Sequence, residues 1–223
     1  MDSQYPLYIL AGGRSRRMGR PKATLPFPDR PLVALLAERF APHFPTQRIV
    51  CSTAILTPDI EKALSDYCLI ERALFDDQPD GGPLAGLERA ARHAAELGAP
   101  RWLAIPCDMP FLTPAFLERL ADPGNADLQP ADAAPNPTAV VPCAADGRLS
   151  GVCAAYSVAI QPILTAFLES GRRRVQDFVA LIGAARLPFS AYADLPQADR
   201  LLFNLNTPDD YQQALAWEQA AQA

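Results

Sequence analysis

The chain of 223 residues has five cysteines and no Cys-x-x-Cys pair among them, and only two histidines, His43 and His93. Cys51, Cys68, Cys107, Cys143 and Cys153 are scattered, an odd number without metal-ligand spacing. They read as free thiols in a reducing cytosol, not as a disulfide framework or a zinc site. Both histidines fall on segments read as helical, where an exposed or capping role suits them better than catalysis. Positive charge is scarce as well: 20 Lys plus Arg face 25 Asp plus Glu, for a net charge of −5. That balance disfavours nucleic acid or an anionic membrane as the main partner. No basic region precedes the first apolar run, and no apolar run approaches a membrane span, so a cytoplasmic protein is expected. Internal repeats are absent. Two familiar phosphate-binding signatures are missing too. Lys22 is followed by Ala23 where a P-loop needs Ser or Thr. Gly12 and Gly13 are adjacent where a dinucleotide fingerprint needs Gly-x-Gly, and Pro21 interrupts any helix that would follow.

What the chain does have is a cationic glycine loop set against that acidic background. Pro6 to Leu10 reads as a first strand and is followed by Ala11-Gly12-Gly13-Arg14-Ser15-Arg16-Arg17-Met18-Gly19-Arg20-Pro21-Lys22. Five of the 20 Lys plus Arg lie in this segment. Glycine lets a backbone approach a ligand closely, successive N–H groups can cradle phosphate oxygens, and cations neutralise them. One concentrated cationic loop on an acidic protein suits a small anionic ligand better than a polymer. The four arginines cannot all reach one triphosphate, so some face solvent.

Strand-like and helix-like runs then alternate. Helical spacing covers 31–44, a second strand 48–52, and a helix opens at Thr57-Pro58 and runs to about Tyr67. A short third strand falls within 68–75. A helix runs from Gly82-Pro83 to about Leu97, an apolar fourth strand covers 102–106, and Thr113-Pro114 opens another helix. Strands at 139–143 and 152–156, helices at about 160–169 and 175–182, a strand near 201–204 and a terminal helix from Pro208 complete the reading. This alternation predicts an α/β fold, doubly wound, with a mostly parallel sheet and helices on both faces. One domain is expected over 1–223, with 122–138, rich in turn residues, as an exposed linker-like excursion. Ligands of such sheets sit at the carboxyl ends of the strands, which is where the glycine loop falls.

Asp108 follows the fourth strand and faces the same edge. Mg²⁺ takes one or two carboxylates and fills its other positions with water and phosphate oxygens, so Asp108 is placed to hold Mg²⁺ on a bound nucleotide. An Asp here could instead cap the next helix, but Thr113 stands closer to that helix.

Five stretches follow one another in order along nearly the whole chain: Leu10 to Gly19 with Lys22, Gly82-Pro83-Leu84-Ala85-Gly86, Cys107-Asp108-Met109-Pro110, Arg173-Arg174-Val175, and Asn204-Leu205-Asn206-Thr207-Pro208. On these the sequence resembles the MobA family, the molybdenum cofactor guanylyltransferases among the α/β nucleotidyltransferases. The resemblance implies a Rossmann-like, nucleotide-diphospho-sugar transferase-like fold. It also implies transfer of GMP from GTP to molybdenum-molybdopterin, releasing pyrophosphate, with Mg²⁺ as cofactor. Carried over by position, Lys22, Asp108 and Arg17 are the catalytic residues. Leu10, Ala11, Gly12, Gly13, Lys22, Ser52, Asp76 and Asp108 bind the nucleotide, and Asp108 binds the metal. Asn204, Asn206, Arg173 and Arg174 take the acceptor. GTP and molybdopterin are the implied small-molecule partners, with molybdenum cofactor chaperones or apoenzymes as a further partner class. Three departures stand out: Ser52 where the family often has Asn, Ser150-Gly151 where many relatives carry His-Pro, and an excursion at 122–138 unusually rich in proline. The sister cytidylyltransferase activity is the alternative, although its members resemble Leu-Ala-Ala-Gly where this chain has Leu10-Ala11-Gly12-Gly13. A non-catalytic nucleotide-binding module that delivers cofactor is a second alternative.

Overall fold

Leu7, Tyr8, Ile9 and Leu10 are all buried, and this decides how the first strand is used. A strand buried at every position must be covered on both faces, as central strands of parallel sheets are. The computed structural model describes residues 5–12, 20–53, 56–76, 81–124, 127–129 and 137–222. In chain order its elements are β1 (Leu7–Leu10), α1 (Leu32–Phe40), β2 (Gln47–Ser52), α2 (Pro58–Asp66), β3 (Ala73–Asp76), α3 (Gly82–Glu96), β4 (Arg101–Pro106), α4 (Pro114–Ala121), β5 (Ala139–Pro142), β6 (Ala154–Ser157), α5 (Gln161–Glu169), α6 (Val175–Leu181), β7 (Ala185–Leu187) and α7 (Pro208–Gln222). The strands form one sheet in the order β3-β2-β1-β4-β6-β5-β7. All neighbours are parallel except at β6, which runs antiparallel to both β4 and β5. The carboxyl ends of the six other strands therefore share one edge.

Period-two alternation sorts the side chains into two layers. Leu7, Ile9, Ile49, Leu103 and Ile105 pack with Val33, Leu36, Ile60, Leu64, Phe116 and Leu117 from α1, α2 and α4. Tyr8, Leu10, Val50 and Trp102 pack with Leu84, Leu87, Leu164 and Phe178 from α3, α5 and α6. Helices on both faces make the sheet doubly wound, as expected. The caps are those the sequence marks: Thr57 and Thr113 accept from the N–H of Ile60 and Phe116 at the starts of α2 and α4. Gly82 opens α3 at φ +60, a backbone conformation that favours glycine.

A third, smaller cluster lies outside the two layers. Leu25, Phe27 and Leu32, Phe111 after β4, and Leu205 and Ala214 pack together, with Phe203, Tyr211 and Trp217 against them. Phe111 meets Phe27 and Trp217 edge-on, and the Tyr211 hydroxyl donates to the Pro26 carbonyl at 2.5 Å. Three segments far apart in sequence are thereby held together beside the sheet edge.

Several elements differ from the sequence reading. The apolar run 201–204 is no strand: Leu201 and Leu202 are buried in a turn, and Leu201 joins the α1/α2/α4 layer. The seventh strand is instead Ala185–Leu187, three residues beside β5, too short to show a period. β6 begins two residues later than expected, and α1 ends at Phe40, leaving His43 in the following turn. Within the expected excursion, Gln129 is not loose: it bridges Arg186 of β7 through bonds of 3.0 and 2.7 Å. Among the described residues no helix is long and apolar enough to cross a membrane.

Candidate active site

At the carboxyl edge the ends of β1 and β4 are joined directly. The N–H of Cys107 donates to the Leu10 carbonyl at 3.1 Å, so the segments after both strands leave the sheet side by side. The N–H of Ala11 donates to Val50 at 2.8 Å, extending the β1–β2 ladder by one residue. Leu10 and Ala11 are buried, whereas Gly12 is exposed at the strand end. The sheet thus holds Leu10 and Ala11 through their backbones, and Gly12 offers open surface. Gly13 and Arg17 lie outside the described residues.

The chain returns at a 3-10 turn, Lys22–Thr24, which sets Lys22 against Asp108. The Lys22 ammonium donates to Asp108 Oδ2 at 2.8 Å and to Asn206 Oδ1 at 2.9 Å. Only 18% and 19% of the Lys22 and Asp108 side chains are exposed. A pair shielded to this degree is screened less than a surface pair and gives up part of its hydration to form. The backbone fixes the geometry from two sides. Leu205 donates its N–H to the Asp108 carbonyl at 2.9 Å. On the far side, the guanidinium of Arg39 from α1 donates to the carbonyls of Pro110 and Leu112, pinning the loop that carries Asp108. Burial holds Arg39 below the usual arginine range, against the pull of Glu218.

Asn206 is held in turn by the start of α7. Asp210 Oδ2 accepts the N–H groups of Asn206 at 2.9 Å and Thr207 at 2.8 Å, and Thr207 Oγ1 accepts the N–H of Asp210 at 3.1 Å. Burial would raise the Asp210 carboxyl. The Asn206 N–H, Thr207 and the Lys22 charge outweigh that and hold it below the usual carboxylate range. Neither Asp210 nor Arg39 emerges from the sequence reading. The spacing Thr207-x-x-Asp210 is a capping-box signal that could have found the first. The role of Arg39 is purely tertiary and leaves no local pattern.

Ser52 and Asp76 end β2 and β3 and face each other in register. Asp76 is 6% exposed, and its carbonyl accepts from Thr53 Oγ1 at 3.0 Å. Burial, then the Asp76 charge, pushes the Cys51 thiol up to about 12. Cys107 is driven upward in the same way, by burial first and then by Asp108. Neither thiol ionises near neutrality, so neither is a ready nucleophile.

The structure thus brings Lys22, Asp108 and Asn206 into contact and sets Ser52 and Asp76 along the same edge, beyond β1. Asn204 is half-buried two residues before Asn206. Arg173 and Arg174 stand at the α5–α6 turn. Arg173 donates to the Leu168 and Arg172 carbonyls at 2.6 and 2.8 Å, closing α5, while Arg172 lies 4.2 Å over Phe167. Arg174 is the exposed residue preceding α6.

A doubly wound sheet with an exposed glycine closing its first strand, and a Lys–Asp–Asn cluster beside it, defines an α/β nucleotidyltransferase. The chain belongs to one family within that class, the MobA-like NTP transferase domain, which it matches over residues 7–185. It is 35% identical over 207 residues to a molybdenum cofactor guanylyltransferase of Cereibacter sphaeroides, covering 92% of this chain and 93% of that one. A molybdenum cofactor guanylyltransferase of Rhizobium meliloti is 34% identical over 218 residues, covering 95% and 91%. Among solved structures, molybdopterin-guanine dinucleotide biosynthesis protein A from Archaeoglobus fulgidus shares the fold with a TM-score of 0.77 at 23% identity, covering 96% of this chain and 99% of that one. A CMP:2-keto-3-deoxy-manno-octonic acid synthetase shares it at 0.64 and 15% identity, covering 98% and 100%.

Proposed function

We propose that the protein transfers GMP from GTP to the terminal phosphate of molybdenum-molybdopterin, giving the guanine dinucleotide form of the cofactor and pyrophosphate. The observation that carries this reading is the convergence of Lys22, Asp108 and Asn206 at the joined ends of β1 and β4, in a chain 35% identical to a molybdenum cofactor guanylyltransferase. A phosphate oxygen of the acceptor attacks the α-phosphorus of GTP. One P–O bond forms, the α–β bridging bond breaks, and the electron pair leaves with pyrophosphate. The nucleophile is already ionised and needs no base, which fits the described part of the site, where Lys22, Asp108 and Asn206 meet and the Cys51 and Cys107 thiols are held protonated. Catalysis rests on alignment and charge neutralisation.

Lys22 neutralises the phosphates, Gly12 presents backbone to them, and Ser52 and Asp76 lie toward the base. Asn204, Asn206, Arg173 and Arg174 bound the acceptor side. Among the described residues no group of three or more His, Cys, Asp or Glu could hold a metal. One carboxylate, Asp108, beside the Asn206 carboxamide oxygen instead suits Mg²⁺, which takes few protein ligands and completes its shell with phosphate oxygens and water. Mg²⁺ bound there would supply further neutralisation of the leaving pyrophosphate.

Nucleotide choice tests the reading. A ligand that binds only the native state raises the thermal midpoint in proportion to ln(1 + [L]/Kd). With Mg²⁺ present, GTP should raise it more than ATP, CTP or UTP. A shift with CTP as large as that with GTP would favour cytidylyl transfer. GTP, Mg²⁺ and molybdenum-loaded molybdopterin should then give the dinucleotide and pyrophosphate.

A further inference from the structure

The carboxylate of Asp210 does more than close a helix. We infer that Asp210 is a positioning residue for the transfer reaction: it fixes the Asn206 backbone, so that the Asn206 carboxamide holds the Lys22 ammonium in line with Asp108. The role of Lys22 in phosphate transfer is the one given under Proposed function; the geometry at Asp210 stands independently of it.

A capping box needs one bond from the side chain three residues into the helix to the N–H of the capping residue. Thr207 and Asp210 form that box, with the Thr207 N–H donating to Asp210 Oδ2 at 2.8 Å and the Asp210 N–H donating to Thr207 Oγ1 at 3.1 Å. The same Oδ2 accepts a second N–H, at 2.9 Å, which the box does not require. That N–H belongs to Asn206, whose side chain takes the Lys22 ammonium at 2.9 Å. The preceding residue, Leu205, ties its N–H to the Asp108 carbonyl. The peptide carrying Asn206 is therefore anchored on one side to the loop of Asp108 and on the other to Asp210. Asn206 is itself exposed, so packing does not hold its side chain in place. Asp210 also lies near enough for the Lys22 charge to act on it.

Thr207→Ala is the control. It removes the other half of the box and weakens the start of α7, but leaves the bond from Asn206 to Asp210. Asp210→Ala removes both. Lysine labelled with ¹³C at Cε gives a readout that helix stability alone would not move, because the sequence holds just two lysines, Lys22 and Lys62. Lys62 pairs with Asp66 on the surface of α2 and serves as the internal reference. Asp210→Ala should move the Lys22 signal and not that of Lys62, and lower kcat by about tenfold or more with the KM for GTP nearly unchanged. Asp210→Asn keeps an oxygen facing the two N–H groups and should restore most of kcat. Thr207→Ala should lower the thermal midpoint while leaving kcat and the Lys22 signal in place. If Asp210→Ala does not fold, Asp210→Ser, too short to span both N–H groups, takes its place. Equal losses of kcat in Thr207→Ala and Asp210→Ala, or an unmoved Lys22 signal in Asp210→Ala, would reduce Asp210 to a helix cap. Should the wild-type protein fail to transfer GMP to molybdopterin, the activity reading falls, and the Lys22 signal alone decides the role of Asp210.

Discussion

Lys22 and Asp108 meet at 2.8 Å with little of either side chain exposed, whereas Arg20, two residues earlier, is exposed. Lysine is a compact point charge suited to phosphate oxygens, and an exposed arginine is well screened. Lys22→Ala should therefore cut turnover by about a hundredfold or more, and Arg20→Ala only slightly, in steady-state assays of pyrophosphate release. Asp108→Asn keeps shape and removes charge. It should abolish most turnover and the response to added Mg²⁺ while the thermal midpoint stays close to that of the wild type. His93 offers a residue-scale prediction away from the site. Its Nδ1 lies 2.9 Å from the Tyr8 hydroxyl. Burial first, then Arg48 and Arg89, lower the imidazole from its ordinary 6.5, with Glu96 opposing. The folded protein thus binds fewer protons here than the unfolded chain. Stability from the neutral ring is present above 6.5 and is lost as pH falls through the folded value. Thermal midpoints measured from about pH 8 to about pH 5 should fall less steeply for His93→Gln than for the wild type. At this scale Lys22 and Asp108 were legible because a glycine-rich cationic loop and a carboxylate at a strand end carry chemistry in their spacing, whereas Asn206 was marked only by the family resemblance. Arg39 was not, because a guanidinium that braces a distant loop has no neighbours in sequence to announce it.

Helices and strands were legible where a period could run. Thr57 and Thr113 gave helix starts through their chemistry, and 102–106 gave a central strand through unbroken apolarity. The errors fall where tertiary packing overrides pattern. Leu201 and Leu202 are as apolar as a strand, but they are consumed by the core from a turn. Ala185–Leu187 is a strand because β5 offers it a partner, and three residues cannot show that. Gly151 repeats the point. The resemblance marks Ser150-Gly151 only as a departure from His-Pro. In the fold, a Cβ at Gly151 would lie 2.7 Å from Val175 Cγ1 and 2.8 Å from Val179 Cγ2, so the missing side chain lets α6 seat against the β5–β6 connection. Both neighbours are β-branched and stiff. Gly151→Ala should destabilise the protein by about 1–3 kcal/mol in urea unfolding, and adding Val179→Ala should recover part of that loss.

Across the whole molecule, the sheet does the dividing and the third cluster does the joining. β1, β2 and β3 bring Gly12, Ser52 and Asp76 to the carboxyl edge. β4 brings Asp108, while Arg172, Arg173 and Arg174 stand in the turn between α5 and α6. The Phe27, Phe111 and Trp217 cluster then closes the site from outside the sheet. Phe111→Ala should cost about 3 kcal/mol, near the lower end for a buried aromatic, and should lower turnover even where the protein remains folded, because the segments of Lys22, Asp108 and Asn206 all border that cluster. Lys22 is separated from Asp108 by 86 residues and from Asn206 by 184. A chain emerging from the ribosome therefore displays its glycine loop, its lysine and its aspartate long before it can join them. Until Leu205 reaches the Asp108 carbonyl and α7 covers Phe111, the two charged partners lack the segment that fixes their spacing. The contact of Lys22 with both Asp108 and Asn206 is complete only once that late segment docks.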